Sequence, residues 1–268
     1  MNPYKINEPA ILSLSFGRSS AYMLWETLMA NDGIPEDCLV IFSNTGKELN
    51  ETLDFGHAIE TNWGVDVLWL EFDGLKKEPK IVDYDTASRN GEPFDLLISE
   101  KMYLPNPMAR FCTSELKIVP MEKYAKSIGM DSFLTVIGIR ADEPRRAAKQ
   151  KIKEDYAVPM SDAGATIETV RDFWDKQNFG LNLPMMPNGV SNLSNCDLCF
   201  LKGLGIKLSI LESLSPDRAD WWISQEKKIG ARFRREHIDY ARMKVIAADQ
   251  GQLFNFGEDE SMSCFCGD

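Results

Sequence analysis

Short apolar runs alternate with helix-like spacing along the first half of the chain. Residues 19–30 and 50–63 place apolar side chains three or four positions apart, as one face of a helix does. Around them lie four apolar runs that indicate buried strands, at residues 10–14, 38–42, 67–72 and 133–139. This order predicts an α/β fold with a doubly wound, mainly parallel sheet, whose ligands bind at the carboxyl ends of the strands.

The middle of the chain is less regular. Residues 76–110 mix charge and proline without clear periodicity, which predicts a long excursion over the ligand-binding face. A helix is predicted to begin at Thr113, and Pro120 is placed to open a second helix that ends near Gly129.

The pattern changes after Arg140. Residues 141–158 are charged and lead to a short apolar element that ends at Pro159, and a helix is predicted over 167–177. Residues 180–195 are rich in Asn, Pro and Gly and predict a loop. We therefore divide the chain into a ligand-binding domain, residues 1–180, and a helical C-terminal region, residues 181–268.

Two further helices are expected in that C-terminal region. Ser215 and Pro216 form an N-cap and first-turn pair for a helix that ends at Gly230, and another helix follows His237. Both histidines, His57 and His237, are expected on helix surfaces. The pair Trp221 and Trp222 is expected to pack these helices onto the sheet, and the last dozen residues are expected to form an exposed tail.

Composition narrows the function classes. Apolar residues make up 44% of the 268 positions, enough to bury a core, whereas 41 acidic against 30 basic residues give a net charge of −11. That sign disfavours a protein that coats nucleic acid by neutralising phosphates. The absence of a long apolar window and of a signal-peptide pattern predicts a cytoplasmic protein without a membrane anchor. Six cysteines in that compartment point to chemistry rather than to a disulfide framework.

Two strand ends carry polar loops suited to an anion. Residues 15–20 read Ser-Phe-Gly-Arg-Ser-Ser where the first strand gives way to a helix, so hydroxyls and backbone N–H groups meet the positive helix end. The second strand runs into residues 43–52, again at a strand-to-helix junction. A serine-rich turn that only caps a helix is the plain alternative for the first loop.

Several short motifs in one order carry a family resemblance. They are Ser15-Phe16-Gly17, Asn44-Thr45-Gly46, Glu51-Thr52, Lys117-Ile118-Val119-Pro120-Met121, Gly138-Ile139-Arg140 and Arg146-Ala147. From about residue 10 to residue 180 the chain resembles the phosphoadenosine phosphosulfate reductase family. That family is a branch of the PP-loop ATP pyrophosphatase superfamily, with an adenine nucleotide α-hydrolase-like fold.

The resemblance implies a site for an adenine nucleotide. It assigns nucleotide binding to Ser15, Phe16, Gly17, Arg18, Ser19, Ser20, Asn44, Thr45, Gly46, Glu48, Lys117, Gly138, Arg140 and Arg146. Guanidinium groups suit this role because each forks two hydrogen bonds to phosphate or sulfate oxygens. Arg18 and Ser19 replace the Lys-Asp of the ATP-cleaving form, which removes an acidic side chain that helps to hold magnesium. Magnesium as a cofactor therefore stays open.

The cysteines form two close pairs that suit a soft metal or a cluster. Cys196 and Cys199 make a C-x-x-C, and Cys264 and Cys266 make a C-x-C near the end of the chain. Cys112 stands where cluster-containing relatives have a Cys-Cys pair, with Thr113 in place of the second cysteine. The resemblance then implies a 4Fe-4S cluster on Cys112, Cys196 and Cys199, with Cys264 as fourth ligand. Alternatives are a cluster with one open iron and a structural zinc on four thiolates.

The leading hypothesis is an oxidoreductase of the phosphoadenosine phosphosulfate reductase type. Cys266 with Gly267 resembles the mobile reductase tail, whose thiolate attacks the sulfur of a bound sulfonucleotide, and a thioredoxin-like reductant then releases sulfite. One rival is an ATP-dependent sulfurtransferase that adenylates and thiolates a nucleic-acid base. A second rival is a nucleotide-binding module whose zinc only braces the fold. Cys38 begins an apolar strand and is expected to be a buried thiol.

Overall fold

The computed structural model describes residues 2–184, 193 and 196–249. Within that part of the chain a six-stranded sheet has the order β4-β3-β2-β1-β5-β6, and every neighbouring pair is parallel except β3 with β4. The strands are β1 (Ala10–Leu14), β2 (Cys38–Asn44), β3 (Leu68–Glu71), β4 (Lys80–Val82), β5 (Leu134–Ile137) and β6 (Tyr156–Ala157). The strand order reverses at β1, so β1 and its neighbours set the position of a ligand.

Helices cover both faces of this sheet. They are α1 (Arg18–Asn31), α2 (Asn50–Trp63), α3 (Glu92–Lys101), α4 (Phe111–Thr113), α5 (Val119–Ser127), α6 (Pro144–Lys151), α7 (Pro159–Asp162), α8 (Ile167–Trp174), α9 (Leu204–Ser213), α10 (Ala219–Ile229) and α11 (Tyr240–Asp249). A π-helical turn, Ser114–Ile118, joins α4 to α5. The predicted doubly wound, mainly parallel α/β fold is confirmed, and helices make up the described C-terminal part.

The sequence placed most elements well. The first strand matches residue for residue, and the second runs two residues past its expected end, to Asn44. The predicted helix over 50–63 is α2, and Gly230 ends α10 in the left-handed conformation, at a φ of 71°. Ser215 caps a short 3-10 turn, Pro216–Arg218, through a hydrogen bond from the Asp217 N–H to its Oγ at 3.2 Å, and the helix that it was expected to cap begins only at Ala219.

The prediction of an irregular segment over 76–110 was wrong in part. It contains β4, which pairs antiparallel with β3, and α3, which begins after Gly91. Both elements are short, so their patterns are too brief to show a period. The helix expected from Thr113 begins two residues earlier, at Phe111, and the π-helical turn that follows it leads directly into α5.

The described side chains pack into two large cores. One lies between α1, α2, α8 and one face of the sheet, and includes Phe16, Phe42 and Trp69. The other unites the C-terminal helices with α3, through Phe94 and Trp222 among others. Trp222 is buried in this core, but its ring packs on Phe233 at 5.0 Å and Tyr240 at 5.3 Å within the C-terminal region, so the prediction that it packs these helices onto the sheet was wrong. The boundary near residue 180 stays a prediction.

His237 departs from expectation. It is buried, with 4% of its surface exposed, and its Nδ1 lies 2.9 Å from Nζ of Lys207, which is also buried. The surface prediction was wrong because a helix-flanking histidine gives no sign that a lysine from another helix will face it. Among the described residues, no helix is both long enough and apolar enough to span a lipid bilayer.

Candidate functional site

The loop after β1 is held rigidly by its own side chains. Ser20 Oγ accepts the Ser15 N–H at 3.3 Å and donates to the Gly17 carbonyl at 3.0 Å. Phe16 takes a φ of 51°, and its buried ring stacks on Phe42 with centroids 4.0 Å apart. The ring anchors the loop in the core, while the first turn of α1, which holds no acidic side chain, follows directly. Such a helix start favours a bound anion.

The end of β5 lies against this loop. A Cβ on Gly138 would stand 2.9 Å from Cα of Ser20, so only glycine allows the two backbones to come this close. Arg140 Nη1 donates a hydrogen bond to Ser19 Oγ at 3.1 Å, and its Nε contacts Asp142 Oδ1 at 3.0 Å. The structure thus brings together residues that the sequence placed more than 100 positions apart.

The other predicted cations have protein partners at the same edge. Arg18 donates to the Leu181 carbonyl at 3.1 Å, and Arg146 forms an ion pair with Glu143. Lys117 Nζ stands 3.8 Å from Oε1 of Glu48, a buried carboxylate. These contacts hold each cation in place, and an incoming anion would compete with carboxylates and a carbonyl for them.

The loop after β2 is equally well ordered. Asn44 Nδ2 donates to Oε1 of buried Glu71 at 2.6 Å, and Asn44 Oδ1 accepts the Gly46 N–H at 3.0 Å. Glu48 accepts from Thr45 twice, at 3.0 Å from the N–H and 2.9 Å from Oγ1. Gly46 has a φ of 74° and packs on Gly91, so both conformation and space require glycine there.

The C-x-x-C lies beside that second loop. Cys196 Sγ is 3.6 Å from Thr45 Oγ1, and the Cys199 N–H donates to the Cys196 carbonyl at 3.2 Å. Lys202 Nζ donates to the same carbonyl at 2.8 Å. The candidate ligand pair therefore contacts a residue that the sequence assigned to nucleotide binding.

The remaining cysteines fall into three groups. Cys112 is partly exposed on α4 and packs against the same core as the C-x-x-C. Cys38 is buried as expected, and burial raises the pKa of its thiol to about 11. Cys264 and Cys266 lie outside the described residues. Among residues that the structure describes, no three His, Cys, Asp or Glu side chains form a group that could hold a metal ion.

Sequence reasoning missed two buried carboxylates that organise this edge. Glu71 ends β3 and accepts the Ser88 N–H at 2.6 Å as well as the Asn44 amide, so it ties the 83–91 loop to β2. Asp197, inside the C-x-x-C, forms an ion pair with Lys47 at 3.3 Å. The sequence offered one signal: each of these acidic residues stands in an otherwise apolar segment, and a carboxylate is rarely buried unless it is paired.

A separate cavity of about 270 Å³ lies on the α5 side of the sheet. Ile11, Thr135 and Tyr156 line it from neighbouring strands, and Met121 lines it from α5. No residue of the two strand-end loops lines it. The chemistry-bearing side chains and this cavity are therefore distinct features.

Comparisons with known proteins agree with this architecture. The sequence pattern of the phosphoadenosine phosphosulfate reductase domain matches residues 9–159. The uncharacterized nin region protein ORF290 of Escherichia phage lambda is 32% identical over 203 residues, which are 72% of this chain and 66% of that protein. An uncharacterized protein of Methanocaldococcus jannaschii is 27% identical over 155 residues, which are 58% of this chain and 28% of that protein. The chain thus spans less than two thirds of each relative's length.

A solved structure is also matched, at low similarity. It is the crystal structure of phosphoadenylyl-sulfate (PAPS) reductase from Candida auris in a phosphate complex. The superposition covers 68% of this chain and 82% of that one, with 11% sequence identity and a TM-score of 0.44.

Proposed function

Because the chain belongs to the phosphoadenosine phosphosulfate reductase domain family, we propose that it is an enzyme that binds a sulfonucleotide and reduces its sulfur. The nucleotide would lie across the loops that follow β1 and β2. The observation that carries this proposal is the hydrogen bond from Arg140 to Ser19, which places a guanidinium at the first turn of α1. The partial positive charge of a helix start and a forked cation together suit a phosphate or sulfonate group.

Different described residues would contact different parts of the nucleotide site. Backbone N–H groups at the start of α1 and the Ser19 hydroxyl would donate to phosphate oxygens, and Arg140 would add a charge-assisted pair. The Glu48 carboxylate accepts a hydrogen bond from Thr45 and forms an ion pair with Lys117. These contacts would keep the loop after β2 in one conformation while it contacts the nucleotide. A site held in place by buried hydrogen bonds loses little entropy when the nucleotide binds.

The proposed sulfur step uses a thiolate supplied by Cys266, by resemblance to the family's tail. Its sulfur attacks the sulfonate sulfur, an S–S bond forms, and the S–O bond to the phosphate breaks. The electron pair of that bond leaves on the phosphate oxygen of the nucleotide. One thiolate of a thioredoxin-class dithiol then attacks the Cys266 sulfur, which breaks the bond to the sulfonate, forms a mixed disulfide and expels sulfite. The second thiolate of the dithiol breaks the mixed disulfide, so Cys266 is freed and the reductant is left as a disulfide, which balances the reduction of the sulfur.

The described thiols do not by themselves complete a cluster site. Cys112, Cys196 and Cys199 pack against one core, but they do not form a three-ligand group in the described part of the chain. The attack by Cys266 and the regeneration of its thiol by the dithiol involve only the thiols of Cys266 and of the reductant. A 4Fe-4S cluster, or zinc in its place, stays a prediction that metal analysis tests.

The test is sulfite release from 3′-phosphoadenosine 5′-phosphosulfate (PAPS) with thioredoxin and its reductase present. Wild-type protein should release sulfite, whereas Cys266→Ser should bind PAPS with unchanged affinity and release none. Cys38→Ala is the matched control, because Cys38 is buried at the far end of β2, and it should retain turnover. Pyrophosphate release from ATP in the presence of tRNA or DNA, without sulfite from PAPS, would contradict the proposal and favour a sulfurtransferase.

A further inference from the structure

Asp197 lies between the two thiols of the C-x-x-C and is buried, with 4% of its surface exposed. Its two carboxylate oxygens have different partners. Oδ1 accepts the Leu198 N–H at 2.7 Å and the Trp222 Nε1–H at 3.0 Å, so it is tied to its own turn and to the C-terminal core. Oδ2 lies 3.3 Å from Lys47 Nζ and 3.7 Å from Arg218 Nη1. The carboxylate therefore joins the C-x-x-C turn to α10 and to the loop after β2.

The main chain repeats the connection to Lys47. The Asp197 N–H donates to the Lys47 carbonyl at 3.1 Å, so one residue holds Lys47 by both its backbone and its side chain. The Lys47 ammonium also lies over the Trp221 ring, 5.1 Å from its centroid. Lys47 is itself buried, and a buried charge that loses its partner is strongly disfavoured. The ion pair therefore fixes the register between the two segments.

The positions next to this ion pair carry the candidate chemistry. Cys196 precedes Asp197 and Thr45 stands two residues before Lys47, and their sulfur and hydroxyl oxygen are 3.6 Å apart. We propose, on the basis of the function proposed above, that Asp197 is a positioning residue: it holds the C-x-x-C turn against the loop after β2, so that this loop keeps its nucleotide-binding shape. In this role Asp197 acts through Lys47 and does not bind the nucleotide itself.

The change in PAPS affinity of the Asp197→Asn variant distinguishes a positioning role from a purely electrostatic one, because the two roles predict changes of opposite sign. Asp197→Asn keeps an oxygen that can accept from Trp222 and Leu198, but it removes a negative charge and releases Lys47. If Asp197 acted only through its charge, its loss would leave the region more positive, and an anionic nucleotide would bind more tightly. If Asp197 positions the loop, the same variant should bind PAPS at least tenfold more weakly, because the loop must be reordered on binding.

Hydrogen exchange is a second measurement, and it reports the conformation of the loop after β2 without any nucleotide. The N–H groups of Thr45, Gly46 and Lys47 all donate within the loop, so their hydrogen exchange reports its shape. Asp197→Asn and Lys47→Met should both accelerate exchange over residues 43–49, and the double variant should add little to either one. Asp220→Asn, an exposed carboxylate paired with Lys244, is the matched control and should change neither exchange nor affinity.

The outcomes are separable. Faster exchange over 43–49 together with weaker PAPS binding supports the inference. Unchanged exchange in Asp197→Asn overturns it, as does faster exchange with equal or tighter PAPS binding. If wild-type protein binds neither PAPS nor ATP while exchange still accelerates, the proposed function fails and the coupling of the two segments stands. Far-ultraviolet circular dichroism should match wild type in each variant, because the helices and strands stay formed.

Discussion

Arg140 Nη1 donates a hydrogen bond to Ser19 Oγ at 3.1 Å, across the boundary between β5 and the start of α1. The two residues lie on either side of the point where the strand order reverses, since β2 flanks β1 on one side and β5 on the other. Sheets of this type bind ligands where the strand order reverses. The contact therefore places a cation at the position that the topology favours for an anionic ligand.

Gly138→Ala should destabilise the fold and weaken nucleotide binding together. Its Cβ would stand 2.9 Å from Cα and 3.2 Å from N of Ser20, and backbone atoms cannot move aside as a flexible side chain can. We expect a loss of about 1–3 kcal/mol in the free energy of unfolding, measured in urea, because overpacked sites cost that much. Gly180→Ala, whose Cβ meets no atom within 4 Å, should leave both properties unchanged. Equal stability of the two variants would show that the close approach is not needed.

The buried Lys207 should make stability depend on pH above neutrality. Burial, with the nearby Arg234 charge, lowers the pKa of Lys207 from 10.5 to about 8. Between pH 8 and 10.5 the unfolded chain therefore binds a proton that the folded chain has released. Stability rises with pH wherever the unfolded state binds more protons, here by up to about 3 kcal/mol in total.

Lys207→Met isolates this contribution. The difference in unfolding free energy, wild type minus variant, should increase as pH rises from 8 toward 10.5 and stay flat between pH 6 and 7. Cys38 and the buried Tyr4 are far along the chain from Lys207 and pack in the other core, so their effects cancel in the difference. A difference that stays flat across pH 8–10 would show that Lys207 keeps an ordinary pKa despite its burial.

Metal content should separate the candidate ligands from the structural thiol. The 4Fe-4S cluster that the family resemblance implies predicts about four irons and four sulfides per chain in protein purified without oxygen. Cys196→Ser and Cys112→Ser should lose that content, whereas Cys38→Ala should keep it. One zinc per chain without iron would contradict the cluster and favour a structural thiolate site.

The sequence predicted the sheet well because its central strands are long and apolar on both faces. β1 and β2 are near-continuous apolar runs, as is typical of strands buried on both faces, and the polar loops that follow them are easy to recognise. Once parallel strands are accepted, their carboxyl ends share one edge. Because β5 lies beside β1, its carboxyl end must lie close to Ser19. The strand order does not say which atoms form the hydrogen bond.

The rest depends on contacts between distant segments. β4 spans only Lys80–Val82, and its pairing with β3 decides its conformation more than its own residues do. Asp197 and His237 are buried because Lys47 and Lys207 come from other elements to meet them. No local pattern shows such a pairing, so sequence reasoning placed His237 on the surface and passed over Asp197.

The most direct test of the central claim is PAPS binding to wild type and Arg140 variants by isothermal titration calorimetry. Wild type should bind one PAPS per chain, and Arg140→Met should bind at least tenfold more weakly, since a hydrogen bond to a charged group is worth about 1.5–3 kcal/mol. Arg140→Lys should fall between them because it keeps the charge without the fork. Arg171→Met, at an exposed position of α8, should bind as wild type does. Equal PAPS affinity in wild type and Arg140→Met, or no binding to wild type, would contradict the account.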